Sequence, residues 1–134
     1  MSVTHRHTRS FSRSGATPVN YDKDVTGDLE TNIEDLTVTA GAADMEVSVA
    51  IDVSELKSLF MSSDQDITVE TNNPGGASAA ADDTIALKED QPLVWIENDS
   101  WSCPLTTDVT TLWLSNAGAS DATFNLRALV DATP

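Results

Sequence analysis

A single cysteine, Cys103, leaves the chain without a possible internal disulfide, so stability must come from packing, from a ligand or from neighbouring subunits. Basic residues are scarce: seven Lys and Arg stand against 22 Asp and Glu, a net charge of −15. No apolar run approaches the roughly 18–20 residues that carry a helix across a bilayer, which argues against a membrane-spanning protein. The opening MSVTHRHTRSFSRSG lacks the apolar stretch of about 7–15 residues that a secretory signal uses. Export by that route is not expected, and synthesis in a reducing compartment is.

What is present suits one domain. A chain of 134 residues with a hydrophobic share of 40% can bury one core but hardly two. The charge is divided unevenly along it. Arg6, Arg9 and Arg13 lie in residues 1–21, which hold no acid, whereas residues 22–134 set Lys23, Lys57, Lys88 and Arg127 against all 22 acids. So acidic a body repels phosphate backbones and disfavours sequence-specific nucleic-acid binding; its simplest role is solubility.

Residues 1–20 are rich in Ser, Thr, Arg and His and show no hydrophobic period of 2 or 3.6, which reads as an extended basic arm that orders only against something else. Residues 21–134 read as the folded domain. Ile33, Leu36 and Val38 mark a first strand. Met45–Asp52 alternates cleanly between apolar and polar, as a half-buried strand does. Val53–Met61 fits either a short helix started by Ser54 or a corner between sheets. Further strands are expected around Ile67–Thr71, Thr84–Leu87, Pro92–Glu97, Thr110–Ser115 and Thr123–Asp131, with Leu129 interrupting the polar face of the last. The run Asn72-Asn73-Pro74-Gly75-Gly76 signals a turn, and residues 74–83 a polar loop. Short strands, frequent turns and almost no helix predict an all-β antiparallel sandwich, jelly-roll-like or immunoglobulin-like, with the N-terminal arm outside it.

No residue set points to catalysis. His5 and His7 lack the further ligands of a metal shell. Cys103 has no histidine within the folded part to activate it and reads as an inert packed thiol. Asp64-Gln65-Asp66 and Asp82-Asp83 fail the calcium-loop pattern and read as solvated loop acids. Trp95 and Trp113 fall within apolar strands and are expected in the core. Trp101, between strands, is the candidate surface contact. No cofactor is implied.

Several stretches resemble small virion structural proteins of tailed bacteriophages: Leu56-Lys57-Ser58-Leu59-Phe60, Ser63–Asn72, Asp83-Thr84-Ile85, Pro92-Leu93-Val94-Trp95, Leu114-Ser115-Asn116-Ala117 and Arg127–Pro134. The resemblance covers over half the chain and carries no catalytic motif. It implies a capsid cement or decoration protein: made in the host cytoplasm, homo-oligomeric, and carried on the virion against the major capsid protein. In that reading Arg6, Arg9, Phe11 and Arg13 of the arm make the partner contact. The alternatives are a carbohydrate- or receptor-binding module of a tail or fibre, using Trp101 and the loop at Asp82, and a head–tail or tail structural component.

Overall fold

The computed structural model describes residues 2–72 and 80–131. Most of the turn and loop expected over 72–83, and the terminal Ala132-Thr133-Pro134, lie outside the described residues.

Among the described residues there are ten strands: β1 (Val3–Phe11), β2 (Val19–Gly27), β3 (Leu29–Val38), β4 (Met45–Ile51), β5 (Leu56–Ser63), β6 (Ile67–Thr71), β7 (Thr84–Leu87), β8 (Leu93–Ile96), β9 (Val109–Ser115) and β10 (Ala122–Val130). Eight of them build two four-stranded antiparallel sheets, ordered β3-β10-β5-β8 and β4-β9-β6-β7. The pairs β3·β10, β4·β9, β5·β8 and β6·β7 nest like one long hairpin. Rolled up, that hairpin places successive strands in alternate sheets except at its end, where β6 and β7 pair, which is jelly-roll connectivity and excludes the immunoglobulin-like alternative.

Side-chain alternation places the core between the sheets. Leu59, Met61, Phe124, Leu126 and Ala128 line the first sheet's inner face, and Val69, Leu112, Leu114, Ile85 and Leu87 the second's, all buried in one cluster. At about 25 cal/mol per Å² of apolar surface removed from water, this interior is the main source of stability for a chain without disulfides. Fully buried Asn116 fixes one rim of the core: its Nδ2 donates to the carbonyls of Val38 (3.0 Å) and Ser120 (2.9 Å), and its Oδ1 accepts from Gly118 N (3.0 Å). Tight bends are made largely without glycine. Asp35, Asp44, Asn72, Asp90 and Asn98 hold positive φ, a conformation that short Asx side chains tolerate better than other non-glycine residues.

Two stretches differ from the sequence reading. The segment 53–61 is not a helix: Val53–Glu55 is a single 3-10 turn at the corner between sheets, capped by Asp52 rather than Ser54 (Ser54 N to Asp52 Oδ1, 3.0 Å), and the rest is β5. Buried residues fall on both of its faces because both are covered, Leu59 and Met61 by the core and Ser58 by β1. Leu129 interrupts the polar face of β10 for the same reason, packing with Ile96 against Val25 of β2.

The larger difference lies at the N-terminus. Residues 1–20 do not form a free arm: β1 pairs with β2 from Val3↔Gly27 to Phe11↔Val19, and this hairpin lies over the outer face of the first sheet. The expected boundary at 20/21 therefore falls inside β2. Period-2 alternation is present in β1, but its sandwich-facing positions after Val3 are His5, His7 and Arg9, so a hydrophobicity pattern does not show it.

Candidate functional site

The hairpin is the distinctive addition to the eight-stranded sandwich, and its two strands carry different chemistry on their two faces. Thr4, Arg6, Thr8 and Ser10 point to solvent. On that outer face the Arg6 guanidinium pairs with Asp24 (2.9 Å) and Asp22 (3.6 Å) across the hairpin; such exposed pairs contribute about 0–1 kcal/mol each. Arg6, expected to contact a partner, is thus engaged within its own element.

Arg9 faces the sandwich. Its Nη1 and Nη2 donate to Asp99 Oδ1 and Oδ2, both at 2.7 Å, in a fork that also receives the Ile96 and Ser100 amides. With its side chain 3% exposed, Asp99 has its carboxyl held down to about 2, first by the Arg9 hydrogen bonds and then by the two amides acting against burial. The guanidinium also lies 4.8 Å over the Trp101 ring, a cation–π contact. Trp101 remains 55% exposed, as its place between strands suggested. Together Arg9, Tyr21, Asn98, Ser100 and Trp101 border a cleft of about 370 Å³.

Nearer the hairpin's root, two imidazoles share one hydroxyl. Ser58 Oγ of β5 is 2.8 Å from His5 Nδ1 and 2.7 Å from His7 Nε2, and His5 Nε2 is 2.5 Å from Glu30 Oε2 of β3. His7 is held below its ordinary value, chiefly by burial and then by the neighbouring His5 and Arg9, with Asp99 opposing. Acid, imidazole and hydroxyl have the connectivity of a hydrolase triad. Ser58, however, is 0% exposed and its oxygen lies between two rings, so no substrate carbonyl reaches it in this conformation.

At the far end the hairpin overhangs the sandwich. Phe11 and Val19 are opposite one another on the face that packs inward nearer the root, yet they are 68% and 66% exposed. The turn beyond them contains Arg13, whose carbonyl accepts from Ala16 N (3.1 Å), with Gly15 at φ 77° supplying the left-handed position. Arg13 makes no ion pair among the described residues. Of the four arm residues singled out from sequence, Arg6 is paired within the exposed face of its own hairpin, Arg9 is turned onto the sandwich, and Phe11 and Arg13 are presented outward. Glu30, Ser58, Asp99 and Tyr21 were missed, because only the hairpin's docking brings them to it.

The remaining candidates serve structure. Asp64, Asp66 and Asp83 accept from the backbone amides of Thr123, Glu89 and Thr106 (2.7, 2.8 and 2.8 Å), tying loops together. No group of three or more His, Cys, Asp or Glu among the described residues could hold a metal ion. Cys103 is half-buried against the core, and burial pushes its thiol up, away from thiolate reactivity. Trp95 packs on the core as expected and donates to the Trp101 carbonyl (3.2 Å). Trp113 does not: it stands opposite Glu46 and Glu70 on the outer face of the second sheet, donating to Asn72 O (3.2 Å), because the neighbouring Leu112 and Leu114 take the inward positions of β9. No helix among the described residues is long and apolar enough to cross a membrane. No protein-family model, curated protein or solved structure matches the chain.

Proposed function

We propose that the chain is a non-enzymatic virion structural protein that decorates or cements a phage capsid, meeting the major capsid protein through the overhanging tip of the β1–β2 hairpin. The observation that carries this reading is the tip itself: two opposed apolar side chains, Phe11 and Val19, more than half exposed, with Arg13, which has no ion pair among the described residues, in the turn beyond them. Apolar anchors flanked by arginine are the composition of interface hot spots. Charge gives the approach a direction. Residues 3–27 hold four basic residues and two acids, whereas the rest of the chain holds three and 20, so an acidic partner is repelled by the sandwich and admitted at the hairpin.

Many equivalent copies on a symmetric shell multiply a small contact of this kind into firm attachment, which also suits a homo-oligomeric arrangement. The jelly roll is compatible with this role, being an architecture used in capsid and lectin domains alike, and by itself assigns none. The contact differs from the sequence expectation in one respect: the arm is a folded hairpin whose tip, not its length, is presented. Removing residues 1–20 would therefore strip β1 from β2 and confound binding with folding. The informative variant is Phe11→Ser with Val19→Ser, which should leave the melting temperature within a few degrees while particle occupancy falls at least tenfold. Wild-type occupancy by that variant would end the proposal.

A second reading, a glycan-binding module of a tail or fibre, draws on the Trp101–Tyr21 cleft. Against it, Arg9 covers one face of Trp101, and all of Asp99's accepting positions are filled from within the protein. Saturable binding on a glycan array, lost on Trp101→Ala, would favour it; immunogold labelling at the tail rather than the shell would favour a tail component.

A further inference from the structure

The hairpin is held to the sandwich by few contacts. One residue, Asp28, joins β2 to β3, and its amide donates to the Val130 carbonyl (3.0 Å). Among the described residues the buried apolar cluster under it is small, Val25 with Ile96 and Leu129, and Val3 packed against them. Polar groups add the Arg9–Asp99 fork, the Arg9 guanidinium over the Trp101 ring and the Glu30–His5–Ser58–His7 chain. Elements with little buried apolar contact open at low free-energy cost, so the state of the polar chain decides whether the hairpin stays down.

Hydrogen-bond counting fixes that state. An ionised Glu30 only accepts, so His5 Nε2 carries a proton; in neutral His5 the Nδ1 then accepts the Ser58 O–H, and Ser58 Oγ accepts from His7 Nε2–H. The chain of donors runs one way, from His7 to Glu30, with every partner satisfied. A proton added at His5 is absorbed by turning the chain round: His5 Nδ1–H donates to Ser58 Oγ, the hydroxyl donates to His7 Nε2, and His7 changes tautomer, giving up its Nε2 proton and carrying one on Nδ1 instead. A second proton, at His7, has no such solution. Two N–H groups then point at one hydroxyl whose hydrogen has no acceptor, and two cationic rings stand with centroids 6.3 Å apart.

We propose that this shared hydroxyl makes the β1–β2 hairpin an acid-released clamp, tolerant of one added proton and opened by the second. The groups around His7 support it. On its own strand His5 and Arg9 flank it, and Lys23 of β2 stands opposite. Arg6 and Arg127 of β10 border the same cavity of about 400 Å³. Among the described residues the facing carboxylates are Glu30, already bonded to His5, and Asp99, already bonded to Arg9. Burial, and after it His5 and Arg9, keep His7 below its ordinary 6.5 against the opposing pull of Asp99. A released hairpin therefore takes up protons that the docked one excludes, and docking weakens as the pH falls from about 6.5 through the lower docked value. The Arg9–Asp99 pair does not share this response near pH 5, because Asp99 stays ionised down to about 2. The clamp stands independently of what the tip binds.

The test is amide hydrogen exchange of the full chain at pH 7.5 and 5.0, expressed as protection factors. Protection over 3–11 and 19–27 should fall at least tenfold at pH 5.0, while β9 and β10 keep theirs. Either His7→Gln or His5→Gln alone should reduce that fall to less than threefold, since each leaves a single imidazole on Ser58; the two variants are independent should one fold poorly. A hairpin whose protection follows that of the sandwich, or a full tenfold fall persisting in either variant, would overturn the clamp.

Discussion

Asp99 depends on Arg9 more than on any other group in the hairpin, because its carboxylate is almost wholly enclosed and both oxygens receive the guanidinium. Arg9→Ala leaves that charge with two amides alone, and stranding a desolvated carboxylate costs about 2 kcal/mol. The sign of its pH dependence follows from the lowered carboxyl. The pair's stabilisation is complete above the ordinary value of 3.8 and is lost as the pH falls towards about 2. Chemical denaturation of wild type and Arg9→Ala should therefore show a gap that is constant from pH 7 to 5 and closes between pH 4 and 2. Asn116 is the comparable residue at the other rim. Asn116→Ala removes three internal hydrogen bonds and leaves the buried Val38 carbonyl, the part-buried Ser120 carbonyl and the Gly118 amide short of a partner. A loss of roughly 2–3 kcal/mol is expected, read as a lower urea midpoint with an unchanged slope.

At the scale of the element, the hairpin approaches the sheet where β2 has no side chain to spare. A Cβ on Gly27 would stand 2.5 Å from the Val130 carbonyl oxygen and 2.9 Å from Leu129 Cγ, and the first of these is backbone that has no room to yield. Gly27→Ala should lift the root of the hairpin off β10, costing about 1–3 kcal/mol by overpacking. Limited proteolysis should then cut within residues 19–29 at least tenfold faster while the sandwich stays intact. Core strands respond differently. Phe124 and Leu126 of β10 are 0% exposed at the centre of the interior, and truncating Phe124 to alanine should cost about 3–5 kcal/mol, measured as a cooperative shift of the whole unfolding transition.

The whole molecule carries −15 on 134 residues, and self-repulsion at that density opposes the compact state. Added salt should stabilise it: raising ionic strength from about 0.01 to 0.5 M shortens the screening length from roughly 30 Å to below 5 Å, and the melting temperature should rise by several degrees. Unchanged melting across that range would mean that the local carboxylate pairings already neutralise the repulsion.

Alternation alone made β4, β6 and β10 legible, because one face of each looks into an apolar core and the other does not. From such segments the all-β sandwich and the absence of long helices follow. The acidity of the body, the lone thiol and the inward Trp95 are equally local properties. Three things were decided only in the folded molecule. The rolled hairpin topology depends on which strands pair, a long-range matter that periodicity does not encode. The burial of both faces of β5, and of Leu129, depends on a cover from the chain's other end. The polar docking site has no sequence signature, since His5, Ser58, Glu30 and Asp99 are separated by up to 94 positions and become one network only when an alternating strand with histidines on its inner face is laid on a sheet. Hydrophobic burial announces itself residue by residue, whereas satisfying buried polar atoms requires partners that only tertiary contact supplies.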